Sequence, residues 1–178
     1  MKLLLHTCCA PCLTYSAKVF KERYKKVTAL WFNPNIHPFK EYERRYKALE
    51  NFENKNGMGI IYLDDYRLES FIEGAMDTEP RCEFCYELRL GKTAEVAAER
   101  GFDHFSTTLT LSPYQDHELI KRVGEKMGEK NGVKFIYEDM RDGFSEHHKL
   151  ANEMDLYKQG YCGCIFSEKE RYQKELSE

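Results

Sequence analysis

The chain has 178 residues, 42% hydrophobic and 32% charged, with a formal net charge of −3. That supplies enough apolar material for a single α/β domain over residues 1–178 without disulfide support, and it excludes the global positive field of a generic nucleic-acid binder. The Leu3-Leu4-Leu5 run is too short for a signal-peptide core and no stretch is long enough to span a bilayer, so a cytoplasmic protein with no membrane partner is expected.

Lys2 to His6 is a short apolar run and predicts a buried strand that ends at the turn-rich Cys8-Cys9-Ala10-Pro11. A helix is expected next, with Pro11 in its first turn and Ala17, Phe20 and Tyr24 on its inner face. Val27 to Phe32 predicts a second strand, closed by Asn33, Pro34, Asn35 and Pro38. From Phe39 to Asn56 apolar residues recur at Tyr42, Tyr46, Leu49 and Phe52, the spacing of an amphipathic helix, which Gly57 and Gly59 end. Ile60 to Leu63 predicts a third strand and Leu68 to Met76 a short helix. The loop Asp77 to Pro80 then delivers Cys82 and Cys85 to the start of a long helix, Phe84 to Arg100. His104 to Thr107 predicts a fourth strand. At Ser112-Pro113-Tyr114-Gln115 a helix start is expected, with Ser112 as cap, Pro113 in first position and Gln115 closing a capping box. Lys134 to Tyr137 predicts a fifth strand, and two helical tail segments, Phe144 to Tyr157 and Phe166 to Leu176, flank a joint at Gly160 to Cys164. Strands alternating with helices imply a parallel sheet covered on both faces, with a ligand site beyond the carboxyl ends of the strands where their order reverses. The first cysteines follow the first strand and therefore fall at such a position.

All seven cysteines lie in three tight groups, Cys8-Cys9-x-x-Cys12, Cys82-x-x-Cys85 and Cys162-x-Cys164. Core cysteines would be scattered singly, whereas a metal centre needs several thiolates converging on one point. The two C-x-x-C spacings suit a structural zinc ion and an iron–sulfur cluster equally. Cys162 and Cys164 are separated by one residue, so a disulfide between them would close a small strained ring of redox-active rather than structural type; the other reading makes both of them further metal ligands. No G-x-x-x-x-G-K-[ST] loop is present, so ATP use is not expected.

His6-Thr7-Cys8-Cys9-Ala10-Pro11-Cys12, the Arg81 to Arg89 segment RCEFCYELR, Ser106-Thr107-Thr108-Leu109 with Ser112-Pro113-Tyr114, and Gly160-Tyr161-Cys162-Gly163-Cys164 together resemble the QueH family of epoxyqueuosine reductases. The resemblance implies an α/β fold like that of adenine-nucleotide α-hydrolases (a Rossmann-like, three-layer fold) with a helical C-terminal tail. It also implies a [4Fe–4S] cluster and cobalamin-independent reduction of epoxyqueuosine to queuosine at the wobble position of tRNA, with electrons from an external low-potential donor. By the same resemblance Cys8, Cys9, Cys82 and Cys85 hold the cluster, Cys162 and Cys164 form a redox-active pair, and Cys12 is left to ligate a second, mononuclear iron.

Removing an epoxide oxygen to leave an alkene takes two electrons and two protons. Asp116, Tyr114 and Tyr161 are the expected proton donors, although an acid in the first turn of a helix also complements its dipole and tyrosines are commonly packing residues. His6, at the end of a buried strand, is expected to be a satisfied core histidine. Phosphate contacts are expected from Arg44, Arg45 and Lys47, and from Lys18, Lys21, Arg23, Lys25 and Lys26, against the plainer reading of solvated helix faces. Two other functions fit parts of the pattern: an iron–sulfur tRNA sulfur-transfer enzyme on the same fold, which would need ATP, and a non-catalytic zinc module.

Overall fold

Residues 1–175 are described by the computed structural model. The apolar runs become five parallel strands, β1 (Lys2–Thr7), β2 (Lys26–Trp31), β3 (Ile60–Tyr62), β4 (His104–Thr107) and β5 (Lys134–Phe135). Leu3, Leu4, Leu5, Ala29, Leu30 and Trp31 are each 0% exposed. A strand covered on both faces needs apolar side chains at consecutive positions, which is why these segments are unbroken runs rather than alternating ones.

The strand order is β3-β2-β1-β4-β5. It reverses between β1 and β4, whose last paired residues are His6 and Thr107, so the crevice beyond Thr7 is the topological switch point. Helices α1 (Ala10–Lys21) and α2 (Phe39–Asn56) pack together, and α6 (Phe144–Glu153) joins α1 on that layer. The other layer holds α4 (Arg81–Glu99) against α5 (His117–Asn131), with α3 (Leu68–Met76) alongside α4. A last helix, α7 (Ile165–Glu175), follows the cysteine joint. Its expected end at Leu176 lies outside the described residues.

Helices α2 and α3 have the predicted limits, and Gly57 closes α2 in the left-handed region at φ 61°. Elsewhere the limits move, for local reasons. Helix α1 ends at Lys21, so Tyr24 lies beyond it, although its ring is buried against Phe20 and His104. Helix α4 begins at Arg81, three residues before Phe84, and carries both Cys82 and Cys85 in its opening turns. The capping box at Ser112 does not form. A buried 3-10 turn, Thr108–Leu111, occupies the chain after β4; Ser112 Oγ accepts from Tyr114 N at 3.2 Å, and Gln115 Oε1 accepts from the Tyr86 hydroxyl at 2.9 Å. Asp116 is the true cap of α5, its carboxylate accepting from Leu119 N at 2.9 Å, because the buried apolar face starts at His117 and Leu119. Helix α6 stops at Glu153 rather than Tyr157. Asp155 takes the left-handed conformation at φ 52°, where glycine is usual, and the bonds Asp155 N to Asn152 O and Leu156 N to Ala151 O complete a Schellman turn. Eight residues of irregular chain then lead to the third cysteine group.

Candidate metal centre at the switch point

The turn after β1 is fixed from several sides. Asn33 Nδ2 donates to Thr7 O at 2.8 Å, Thr7 Oγ1 donates to Cys9 O at 3.1 Å, and the His6 ring meets Thr107 Oγ1 at 2.9 Å and Asn33 Oδ1 at 3.3 Å. His6 is 0% exposed with both ring nitrogens engaged, and burial pushes its pKa down to about 3, so it is the satisfied core histidine expected. Cys9 is the N-cap of α1, with extended backbone at φ −166°, and Pro11 occupies the first turn where no backbone donor is needed. This geometry brings the Sγ atoms of Cys8, Cys9 and Cys12 within 4.8 Å of one another, all three residues buried.

The electrostatics of that triad are those of thiols short of a cation. Hydrogen bonds from Cys12 and Cys9 hold the Cys8 thiol well below its usual range. Cys12 is held well above it by its bond to Cys8, and Cys9, although Cys12 draws it down, is raised by the Cys8 thiolate and by burial. The three shifts run in opposite directions because adjacent like charges cannot all ionise unaided, so a charge on Cys8 is favoured at the expense of Cys9 and Cys12. A metal in place of the shared protons would release the other two. The position at the positive end of α1 also favours thiolate.

Cys82 and Cys85 lie three residues apart on one face at the start of α4, Cys82 exposed and Cys85 buried. Burial pushes the Cys85 thiol up to about 11. The third group reaches them through the tail: Cys164 and Phe166 pack against the small cluster of Phe71, Ala75 and Cys85. Cys162 and Cys164 are free thiols with Sγ atoms 3.9 Å apart. The hydrogen bond with Cys164 draws the exposed Cys162 thiol down to about 5, and Cys164 is raised in turn.

The loop that carries this pair is anchored to the rest of the site. Gln159 Nε2 donates to Cys9 Sγ at 3.0 Å, Arg45 donates to Cys162 O and Tyr161 O at 3.0 Å each, and His37 N donates to Gly163 O at 2.8 Å. Gly163 sits at φ 130°, and a Cβ there would meet Ile36 Cγ1 at 3.0 Å and Arg45 Nη1 at 3.2 Å, so glycine is required twice over. Arg89 is 3% exposed: burial opposes its charge, while Cys85, Cys8, Tyr86 and Cys162 favour it.

The other expected site residues lie as follows. Tyr114 is 85% exposed, edge-on to Phe144 at 6.0 Å. Tyr161 donates its hydroxyl to His37 O. Arg44 is exposed with its guanidinium 5.9 Å from the centre of the Tyr157 ring, and Lys47 is exposed and paired with Glu43 at 2.8 Å. Arg45 corrects an expectation: it is 1% exposed and paired with Glu41 at 2.6 Å, so it cannot reach a phosphate at the surface. Lys18 and Arg23 are paired with Glu146 and Glu138. The roles of Arg45, Glu41, Gln159 and Arg89 lie outside the sequence expectations; the i, i+4 spacing of Glu41 with Arg45, and of Cys85 with Arg89, is the sequence signal for all but Gln159.

The cap assigned to Asp116 has a measurable consequence. Asp116→Asn, which can still cap, should leave melting temperature and turnover near wild type, whereas Asp116→Ala should cost about 1 kcal/mol of stability. Full stability with abolished turnover in Asp116→Asn would restore the proton-donor role.

A parallel α/β sheet of 3-2-1-4-5 order with a buried triad of thiols at its switch point defines a Rossmann-like α/β protein with a group of cysteines that could hold a metal ion. The U34-tRNA thiolase NcsA from Methanococcus maripaludis, solved with its [4Fe-4S] cluster, shares this fold at TM-score 0.61 and 19% identity, over 94% of this chain and 61% of that one. A predicted subunit of tRNA methyltransferase from Methanocaldococcus jannaschii does so at TM-score 0.52 and 17% identity, over 86% and 75%. Within that fold, the chain belongs to the epoxyqueuosine reductase QueH family, whose model matches residues 3–170. It is 38% identical to the epoxyqueuosine reductase QueH of Dehalococcoides mccartyi, over 97% of this chain and 96% of the relative. Identity to the Thermotoga maritima QueH is 35%, over 97% and 93%.

Proposed function

We infer that the chain is an oxidoreductase that converts epoxyqueuosine to queuosine in tRNA. The observation that carries this is the family match over residues 3–170, a span that includes all three cysteine groups. A [4Fe–4S] cluster fits the chemistry of the donor set: three buried thiols, Cys8, Cys9 and Cys12, converge at the switch point, and a C-x-x-C pair opens α4 with the buried Arg89 one turn further on. We assign Cys8, Cys9, Cys82 and Cys85 to the cluster and Cys12 to a second iron beside it. When bound, the cluster supplies single electrons from an external low-potential donor, and a second iron adds Lewis acidity.

The chain's own residues account for the remaining needs. Oxidising the Cys162 and Cys164 thiols to a disulfide releases two electrons and two protons, the number consumed when an epoxide becomes an alkene and water. The depressed Cys162 thiol and its raised partner suit that exchange. Of the two residues proposed as proton donors on the α5 side, Asp116 has its carboxylate engaged in a cap, so Tyr114 is the one to test as Tyr114→Phe. Beside the loop, a cleft of about 230 Å³ is lined by Lys40, Arg44, Tyr157, Tyr161 and Tyr172 together with the acidic Glu41 and Glu168, and its rings suit stacking of a splayed anticodon base. Arg44 and Lys47 remain the proposed phosphate contacts.

The sulfur-transfer reading rests on fold likeness at 19% identity, whereas relatives 35% and 38% identical across their length are reductases by name. Reduced, cluster-replete protein incubated with tRNA bearing epoxyqueuosine should yield queuosine without ATP or cobalamin, read by mass spectrometry of the nucleosides. Unchanged epoxyqueuosine overturns the assignment, and an ATP requirement with sulfur entering the base would put the sulfur-transfer reading in its place.

A further inference from the structure

Among the described residues two arginines are buried, and only one of them has a carboxylate partner. Arg45 is 1% exposed and is neutralised by Glu41 at 2.6 Å. Arg89 is 3% exposed, its Nε makes only a long 3.4 Å contact to Cys85 O, and its guanidinium lies 5.9 Å from the centre of the Tyr86 ring. Its Nη1 has no hydrogen-bond partner among the described residues, and no described carboxylate pairs with it. A buried cation left unpaired costs several kcal/mol by general expectation, roughly 3–5 kcal/mol where a partner has been removed, so a protein keeps one only where an anion comes to meet it. Cys85 lies one turn back on α4, and the groups whose charge favours that of Arg89 are Cys85, Cys8 from the turn after β1, Tyr86 and Cys162 from the tail loop. Thiols supply little charge while protonated. Four thiolates around an iron–sulfur core supply a net negative charge, and that charge grows by one when the cluster accepts an electron.

We propose that Arg89 is the buried counter-cation of the thiolate-bound cluster and that its charge raises the cluster's reduction potential. The proposal rests on the cluster assignment made above. A fixed positive charge in a water-poor site stabilises the reduced, more negative state more than the oxidised one, so deleting it drives the potential down. Arg89 is therefore a positioning and tuning residue, with its effect exerted on the ease of electron uptake from the external donor.

The test compares Arg89→Met, similar in length but uncharged, with Arg89→Lys, which keeps the charge, in anaerobically reconstituted full-length protein. Midpoint potentials are read by dithionite titration with detection of the reduced cluster by electron paramagnetic resonance. Arg89→Met should shift the one-electron equilibrium at least tenfold toward the oxidised cluster, a fall of about 59 mV, and Arg89→Lys should shift it less. Thermal melts before and after cluster loading supply the second measurement. Removing an uncompensated buried cation should leave Arg89→Met protein without cluster at least as stable as the wild type, while the stabilisation gained on loading shrinks. A loaded Arg89→Met variant with the wild-type midpoint overturns the proposal, as does one that is less stable than wild type, or fails to fold, before loading. Wild-type protein that takes up no iron and sulfide sinks the cluster assignment itself, a result separable from either of these.

Discussion

Replacing Arg45 with Met should lower the stability of the protein by about 3–5 kcal/mol, because it strands Glu41 as an uncompensated buried carboxylate. The side chains of Arg45 and Glu41 are 0% and 7% exposed, and among the described residues the Glu41 carboxylate otherwise accepts only from the Tyr157 hydroxyl, at 2.6 Å. For a chain of this length such a loss lowers the melting temperature by roughly 6–20 °C. The same change removes both donors to Tyr161 O and Cys162 O, so the loop that presents the Cys162–Cys164 pair loses its hold on α2. Stability and positioning can be separated by the double change Arg45→Met with Glu41→Leu. Removing both charges together should restore most of the melting temperature, yet turnover should stay low because the loop carbonyls are still without their donors. Wild-type turnover in the double variant would reduce Arg45 to a packing residue. Arg44→Glu, on the exposed face of the same helix, is then the proper test of phosphate binding, with a raised KM, weaker tRNA binding and a reduced dependence of that binding on salt.

The sheet was legible in the sequence because both faces of a parallel sheet are covered: Leu3-Leu4-Leu5 and Val27 to Phe32 had to be unbroken apolar runs, and their alternation with amphipathic helices fixed the class. Helix α2 was legible to the residue because its apolar spacing ends at a glycine that adopts the left-handed conformation. What escaped were features decided by tertiary partners. The start of α5 depended on which residue first meets the core, and His117 does so where Pro113 was expected. The end of α6 depended on Asp155 accepting a conformation that its type seldom takes. In the site, cysteine spacing located the chemistry, but spacing cannot say that an arginine points inward. Arg44 and Arg45 are neighbours in sequence and look alike there; the step of about 100° between consecutive helical residues puts the first in water and the second under the Tyr161–Cys162 loop.

The cysteine groups should separate by what is lost with each. Cys82→Ala or Cys85→Ala should abolish turnover together with the brown colour of the anaerobic protein. A missing thiolate opens a ligand position, and since even outer-shell changes cost about 10–100-fold, the loss should exceed about 100-fold. Cys162→Ala or Cys164→Ala should reduce turnover as severely while most of the iron and sulfide stays bound, the outcome expected of the electron-exchange role proposed for them above. Two observations favour this division. Cys162 is drawn down to about 5 by its hydrogen bond with Cys164, the pairing of a thiolate with a neighbouring thiol that disulfide exchange uses, whereas Cys85 is buried with its thiol pushed up to about 11, where binding a cation would favour its thiolate. Cys12→Ala probes the remaining assignment: with Cys12 on a second iron, the variant should keep about four irons per chain where the wild type holds about five. Loss of colour in Cys162→Ala or Cys164→Ala would make that pair ligands and move the redox role elsewhere. Loss of the whole cluster in Cys12→Ala would place Cys12 in the cluster's own ligand set, with the triad of Cys8, Cys9 and Cys12 acting as one unit, as their convergence within 4.8 Å allows.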